Sequence, residues 1–265
     1  MELSVLIPIK DEADNILPLL TEITQTLDGL EYEVLFINDG SRDESLAVLE
    51  SAMHRYPRLR VLSHRQNYGQ STSLLTGARQ ARGKWIVTLD GDGQNDPADI
   101  PRLMHKILEL EPWEHWMVCG LRKRRMDSPV RRFSTKVANA VRRAILKDSI
   151  SDTGCGLKLF PRETFLALPS FDHMHRFLPA LVKRLGGLVV GVEVHHRSRS
   201  RGISKYGIHN RLWVGIVDMI GVLWLQKRSH LPQVDELLCV NGIKKIPESL
   251  VTEQPQELNR KTAVV

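Results

Sequence analysis

Through the first 110 residues, short apolar runs alternate with stretches whose apolar positions recur at helical spacing. Ser4–Ile9 has the length of a strand. Behind it Ile16, Leu19, Leu20, Ile23 and Leu27 share one face at 3.6-residue spacing, with Asp14 or Asn15 placed to cap that helix. Tyr32–Ile37 reads as the next strand, Asn38-Asp-Gly-Ser41 as a turn and Leu46–Arg55 as a helix. Leu59–His64, Ser71–Ala81 and Trp85–Leu89 then repeat strand, helix, strand. Strands alternating with helices across short connections predict an α/β fold with a mostly parallel central sheet covered by helices on both faces. Such sheets bind ligands beyond the carboxyl ends of their strands. Three acid-bearing loops fall at such ends: Lys10–Glu12, Asp39 and Asp90–Gln94.

Beyond Leu110 the alternation weakens. Val130–Leu146 reads as a basic helix, Gly154–Phe160 as a loop entering a short strand, and Leu188–His195 as another strand. Trp116 and Met117 read as core. The segment Leu212–Leu225 is apolar but shorter than the roughly 20 residues that cross a bilayer. On a helical wheel Leu212, Trp213, Ile216, Met219, Ile220, Leu223 and Trp224 share a side, with Gly215, Asp218 and Gly221 opposite. Arg211, Lys227 and Arg228 flank it. That pattern suits a helix lying in a membrane interface, and equally an amphipathic helix packed on a domain.

Composition narrows the classes. An apolar fraction of 42% with 26% charged residues is ordinary for a globular protein. Three cysteines without paired spacing argue for a reduced interior and against a disulfide framework or zinc site. The amino terminus enters its first strand without a basic leader, so no secretion signal is expected. The net charge of +6 is unevenly spread: ten Lys or Arg lie between Arg122 and Lys147, and five between Arg197 and Arg211 with no acid among them. Such clusters suit phosphate groups, nucleic acid or an anionic membrane surface. No zinc-finger or RNA-binding signature accompanies them, so nucleic acid is not the expected partner. His64, His105 and His173 lack metal-ligand spacing and read as surface or packing residues.

The chemistry concentrates in Thr88–Asp96. Asp90, Asp92 and Gln94 alternate directly after an apolar strand, on glycine-loosened backbone. Oxygen donors so placed can hold a hard divalent cation, Mg²⁺ or Mn²⁺, although an ordinary acidic turn looks the same in isolation. A cation there would neutralise a diphosphate, the leaving group of nucleotide-sugar chemistry. Neither a G-x-G-x-x-G nor a Walker loop is present to bind phosphate by another route.

Taken together, Ser4-Val-Leu-Ile-Pro-Ile-Lys-Asp-Glu12, Phe36-Ile-Asn-Asp-Gly-Ser-Arg-Asp43 and Leu89-Asp-Gly-Asp-Gly-Gln94 resemble, in order, the signatures of family 2 glycosyltransferases. Arg131–Asn139, Asp152-Thr-Gly-Cys-Gly-Leu-Lys158 and His196–Tyr206 extend the resemblance to the polyprenyl-phosphate branch, the dolichyl-phosphate mannosyltransferase-like enzymes. The resemblance implies a GT-A-type nucleotide-sugar-binding fold. It implies that Pro8, Asp11, Glu12 and Asp39 surround the base and ribose of a GDP- or UDP-sugar donor. Asp90, Asp92 and Gln94 would form the metal and diphosphate motif. Arg131 and Thr135 would meet the acceptor phosphate of an undecaprenyl or dolichyl lipid. Arg199, Arg201, Ser204 and Lys205 would close over the phosphates. The chain departs from the family in having Asp11 for a usual Asn, Asn38 for a frequent Asp, Thr135 for Ser and Ser198 for proline.

The expected organisation is a catalytic domain over residues 1–210, an amphipathic membrane-interface helix over 211–230 and a polar, mobile tail over 231–265. The expected site is cytoplasmic, at the membrane face, and no partner protein is specified. The expected reaction is one inverting in-line displacement. A polyprenyl phosphate is already anionic and needs little general-base help; a saccharide hydroxyl needs a base, for which Asp152 is the candidate. Asp152 reads equally well as a loop acid pairing with a nearby arginine. A non-catalytic nucleotide- or lipid-binding protein is a further alternative.

Overall fold

Alternate residues of a strand face opposite sides of its sheet, and here each side has its own set of helices. In β1 (Leu3–Ile9), Leu3, Val5, Ile7 and Ile9 pack with α1 (Ala13–Thr26), α2 (Ser45–Met53) and α4 (Ile100–Leu108). Leu6 packs on the other side with α3 (Gln70–Gln80), α5 (Arg162–Leu166), α6 (Leu178–Arg184) and Val222 of α7 (His209–Arg228). The computed structural model describes residues 2–110, 113–122, 142–148, 150–198, 209–228, 238–240 and 243–245, with backbone alone at 209–213 and in the last two segments.

The remaining strands are β2 (Tyr32–Asp39), β3 (Leu59–His64), β4 (Trp85–Thr88), β5 (Trp116–Arg122), β6 (Lys158–Pro161) and β7 (Leu188–Val194). They lie in the order β3-β2-β1-β4-β6-β5-β7, all parallel to their neighbours except β6, which runs antiparallel to β4 and β5. The expected mostly parallel sheet with helices on both faces is what forms. The chain winds outward from β1 to β3, then returns to place β4 on the other side of β1. That reversal leaves a crevice beyond the carboxyl ends of β1 and β4, where Lys10–Glu12 and Asp90–Gln94 emerge.

Two local expectations are corrected. Neither Asp14 nor Asn15 caps α1: Glu12 holds the cap position without a side-chain cap bond, and buried Asn15 donates to Glu12 Oε2 at 2.6 Å. Asp11 causes the earlier start, because its left-handed φ of 48° turns the chain into the helix at once. Asp and Asn are the non-glycine residues that best tolerate this conformation, so Asp11 suits the position.

The second correction concerns α7. Met219 and Leu223 pack against the core and Val222 is buried, whereas Val217, Ile220 and Trp224 are 66%, 59% and 62% exposed. The wheel divided the helix wrongly because Asp218, placed opposite the apolar side, pairs inward with His173 at 3.1 Å. Gln226 also donates to the Leu146 and Ala180 carbonyls. Among the described residues no helix is long and apolar enough to cross a membrane.

Residues 230–265 form a unit of their own, in which Leu238–Val240 and Ile243–Lys245 pair antiparallel. Of the expected basic helix, residues 142–146 are helical. Arg131, Thr135, Arg199, Arg201, Ser204 and Lys205 lie outside the described residues.

Candidate active site

The loop after β4 is seated by close packing. A Cβ on Gly91 would stand 2.4 Å from Ile9 Cγ2, so only glycine lets this loop pass over the end of β1. The Asp90 backbone N–H donates to Asn95 Oδ1 at 3.0 Å, and Asp90 Oδ1 accepts from Gln70 Nε2 at 2.8 Å. Asp92 Oδ1 accepts the Gln94 N–H at 3.1 Å. Behind them the 152–158 segment closes in. Thr88 Oγ1 donates to the Gly156 carbonyl at 2.6 Å, and a Cβ on Gly156 would lie 2.3 Å from Asp90 Oδ2.

Burial raises the pKa of Asp90, and the neighbouring Asp92 carboxylate raises it further; Lys158, Gln70 and Arg122 pull the other way. Two half-buried carboxylates side by side repel unless something positive joins them. A divalent cation fits that need, and Asp90, Asp92 and Gln94 supply only oxygen donors, as Mg²⁺ and Mn²⁺ prefer. Among the described residues no three His, Cys, Asp or Glu gather as a complete cage. The set therefore suits an ion whose coordination is completed by ligand oxygens and water.

On the other flank, Asp39 is buried and its oxygens hold the loop after β3. Oδ1 accepts from His64 Nδ1 and the Tyr68 N–H, both at 2.8 Å, and Oδ2 accepts from the Gly69 N–H at 2.7 Å. With its amide turned to suit both neighbours, Asn67 donates to Asp39 Oδ2 and accepts from Lys10 Nζ. The Asp11 carboxylate accepts the Arg42 N–H at 2.6 Å, while the Asp11 and Glu12 N–H groups donate to Ser41 and Ser45 hydroxyls. The acids of these loops thus brace the turns after β1, β2 and β3 against one another beside Pro8, whose carbonyl lies close to Gly91.

Between these flanks lies a cavity of about 480 Å³, lined by Gln70, Asp90, Thr153–Gly156, Lys158, His173, His175 and Arg176 among others. Asn67–Thr72, Asp172, His173 and His175 line an adjoining one of about 450 Å³. Asp152 is not in either lining. Its Oδ2 and Oδ1 accept from Arg122 Nε and Nη2 at 2.6 and 2.7 Å, a bidentate pair. Burial works against the Arg122 charge, but the bond to Asp152 together with the nearby Asp152 and Asp90 charges outweighs it, and the net shift of Arg122 is upward. Burial pushes the Cys119 thiol up to about 12 and raises that of Cys155 as well, so neither is a nucleophile at neutral pH.

The structure brings Pro8, Asp11, Glu12, Asp39, Asp90, Asp92 and Gln94 to one sheet edge. It adds residues not singled out from sequence: Gln70, Asn95, Arg122, Gly156, Lys158, His175 and Arg176. His64 and His173, expected to serve surface or packing roles, instead hold Asp39 and line the cavity. The entry of the second basic cluster is also fixed at this edge. Asn95 bridges His196, the Arg197 N–H donates to the Gln94 carbonyl, and Asp99 accepts from the His195 N–H.

Known proteins resemble this chain in sequence and in fold. The sequence profile of Glycosyl transferase family 2 matches residues 4–167. Dodecaprenyl-phosphate galacturonate synthase of Rhizobium johnstonii is 32% identical over 88% of this chain and 69% of its own length. Undecaprenyl-phosphate 4-deoxy-4-formamido-L-arabinose transferase of Shewanella sediminis is 33% identical over 78% of this chain and 62% of its own. The chain therefore spans roughly two thirds of the length of these curated relatives. Glucosyl-3-phosphoglycerate synthase from Mycobacterium tuberculosis, solved with Mn²⁺, UDP and glucosyl-3-phosphoglycerate, superposes with a TM-score of 0.63 at 18% identity, covering 92% of this chain and 86% of its own. That likeness shows the GT-A-type fold.

Proposed function

The chain belongs to Glycosyl transferase family 2, and from that premise we propose that it transfers a sugar from a GDP- or UDP-sugar to a polyprenyl phosphate, undecaprenyl or dolichyl, with inversion. Two relatives named for sugar transfer to dodecaprenyl or undecaprenyl phosphate support the acceptor class. The observation that carries it is the state of the carboxylates. Among the described residues Asp90 is the only one lining the larger cavity, and Asp152 is paired with Arg122. A hydroxyl acceptor would find no second carboxylate there and would have to draw its base from His173 or His175; an anionic phosphate needs none.

In this reading Pro8, Asp11, Glu12 and Asp39 shape the base and ribose side, with Asp39 acting through the loop it holds. Asp90, Asp92 and Gln94 would hold Mg²⁺ or Mn²⁺, which would supply positive charge for the departing diphosphate. Arg131, Thr135, Arg199, Arg201, Ser204 and Lys205 serve the phosphates, in keeping with the position of Arg122 and Arg197 where their segments begin. A phosphate oxygen bonds to the anomeric carbon as the bond from that carbon to the diphosphate breaks. The electron pair leaves with the nucleoside diphosphate, and no proton is taken from the nucleophile. In the test, donors are incubated with Mn²⁺ and a short-chain polyprenyl phosphate, and radiolabel is followed into the organic phase. Label should enter it only with lipid phosphate and cation present; a water-soluble glycoside as sole product sinks the reading. Asp152→Asn, which still accepts from Arg122, should keep most turnover. Near-complete loss with donor binding intact would favour the hydroxyl acceptor.

The lipid acceptor requires access to a membrane, and α7 offers a route. Its exposed stripe of Val214, Val217, Ile220 and Trp224 ends at exposed Lys227 and Arg228, apolar contact beside cations for an anionic surface. The membrane meant is the cytoplasmic face. Val217→Asp with Trp224→Asp should sharply reduce co-sedimentation with anionic vesicles while leaving thermal stability unchanged, since both side chains face solvent. Unaltered sedimentation would leave α7 as domain packing alone.

A further inference from the structure

The larger cavity contains a cation without a counter-charge. Arg176 ends the 3₁₀ turn Met174–Arg176, just ahead of α6, and lines the cavity with His173, His175 and Leu178. It is half-buried, and among the described residues its guanidinium makes no hydrogen bond or ion pair. The other fixed cation of the lining, buried Lys158, already donates to the Cys155 carbonyl. Asp90, the one carboxylate of the lining among the described residues, is the proposed seat of the divalent ion. A guanidinium held partly out of water with nothing to answer its charge is costly unless a ligand supplies the anion.

The turn that carries Arg176 is firmly placed. His175 Nδ1 lies 2.8 Å from Ser71 Oγ, and the His175 N–H donates to the same oxygen, tying the turn to the start of α3. His173, at a left-handed φ of 64°, is held from the far side by Asp218 of α7. The backbone around Arg176 is thus pinned from both sides, the support a substrate-binding group needs to act with fixed geometry.

We infer that Arg176 binds the acceptor phosphate and aims its nucleophilic oxygen at the anomeric carbon, an assignment that rests on the polyprenyl-phosphate reading above. The donor diphosphate has its own compensation in the ion at Asp90 and Asp92. In-line displacement requires the nucleophile on the opposite side of the sugar from that leaving group, and Arg176 enters the cavity from a separate element. A planar guanidinium presents paired donors that match two phosphate oxygens. Phosphate is the anion favoured; a carboxylate carried by the donor sugar has the same chemistry, and the assay separates the two.

Steady-state kinetics on Arg176→Gln and Arg176→Lys decide the matter, with short-chain polyprenyl phosphate and a donor the wild type accepts. Arg176→Gln should raise the acceptor KM by about tenfold or more. The donor KM and the slow hydrolysis of donor by water should stay within about twofold, and Arg176→Lys should recover part of the loss. An unchanged acceptor KM in Arg176→Gln overturns the inference. So does a loss confined to donor KM, which would hand Arg176 to the diphosphate or to a sugar carboxylate. Equal loss in Arg176→Lys and Arg176→Gln, with donor hydrolysis falling in parallel, would mark a structural role and overturn it too. A wild type that yields no lipid-linked product sinks the acceptor reading itself. A productive wild type beside an unaffected Arg176→Gln sinks only this inference.

Discussion

Asp92→Ala should lose transfer activity by a factor on the order of 10²–10³, and the variant should fold as the wild type does. Asp92 sits in a loop, half-buried, and among the described residues its one hydrogen bond is from the Gln94 N–H. Losing a single turn hydrogen bond costs about 1 kcal/mol, a melting shift of about 2–4 °C in a domain of this size. Part of even that cost is offset, because the Asp92 charge is the second cause, after burial, of the raised pKa of Asp90. Its removal relieves a repulsion in the metal-free protein. The loss therefore falls on function: one carboxylate is left where two are proposed to share a divalent ion. Calorimetric titration of donor with and without Mn²⁺ reads this directly. The wild type should bind donor more tightly with Mn²⁺ and the variant should show no such gain. A variant that keeps its Mn²⁺-dependent affinity removes the metal assignment.

Patterning revealed the sheet's first half because each element there is long enough to show its own period. Five apolar positions at helical spacing mark α1, and an eight-residue run, every residue buried, makes β2. The second half was less legible for a physical reason. In β5, Gly120 is the fifth of seven residues, and β6 is only four residues long. Neither offers a full alternating pattern: β6 showed only as the short strand that the Gly154–Phe160 loop enters, and it runs antiparallel in a sheet whose rhythm announces parallel strands.

The site divides in the same way. Asp90, Asp92 and Gln94 were found because their spacing after a strand is local. Gln70, Asn95 and Arg176 were not, since each acquires its place through contacts remote in sequence or through the absence of one. His64 lies 25 residues from Asp39, and His173 lies 45 from Asp218. Nothing in the surroundings of either histidine along the chain marks it as a partner. Asp152 was legible in type, as a loop acid with a nearby arginine as one option, and bidentate pairing with Arg122 is the option the fold takes.

Gly156→Ala tests whether that remote packing sets the reacting geometry. The added methyl would lie 2.3 Å from Asp90 Oδ2, 2.4 Å from its Cγ and 2.6 Å from Asn95 Oδ1. None of these is the loose end of a long side chain. Asp90 is short and held by Gln70, and Asn95 holds the Asp90 backbone in turn. Gly156 cannot easily retreat, because its carbonyl accepts from Thr88 Oγ1 on β4. The carboxylate must move. A displacement near 1 Å at a group that positions a leaving group costs about 10² in rate. The Mn²⁺ concentration for half-maximal activity should rise with it, which a purely thermodynamic defect would not produce. Gly221→Ala serves as the control: its methyl meets nothing within 4 Å on the exposed side of α7, and helix propensity predicts a stabilisation of up to about 1 kcal/mol. Wild-type turnover and metal requirement in Gly156→Ala would mean that Asp90 does not stand at the reaction centre.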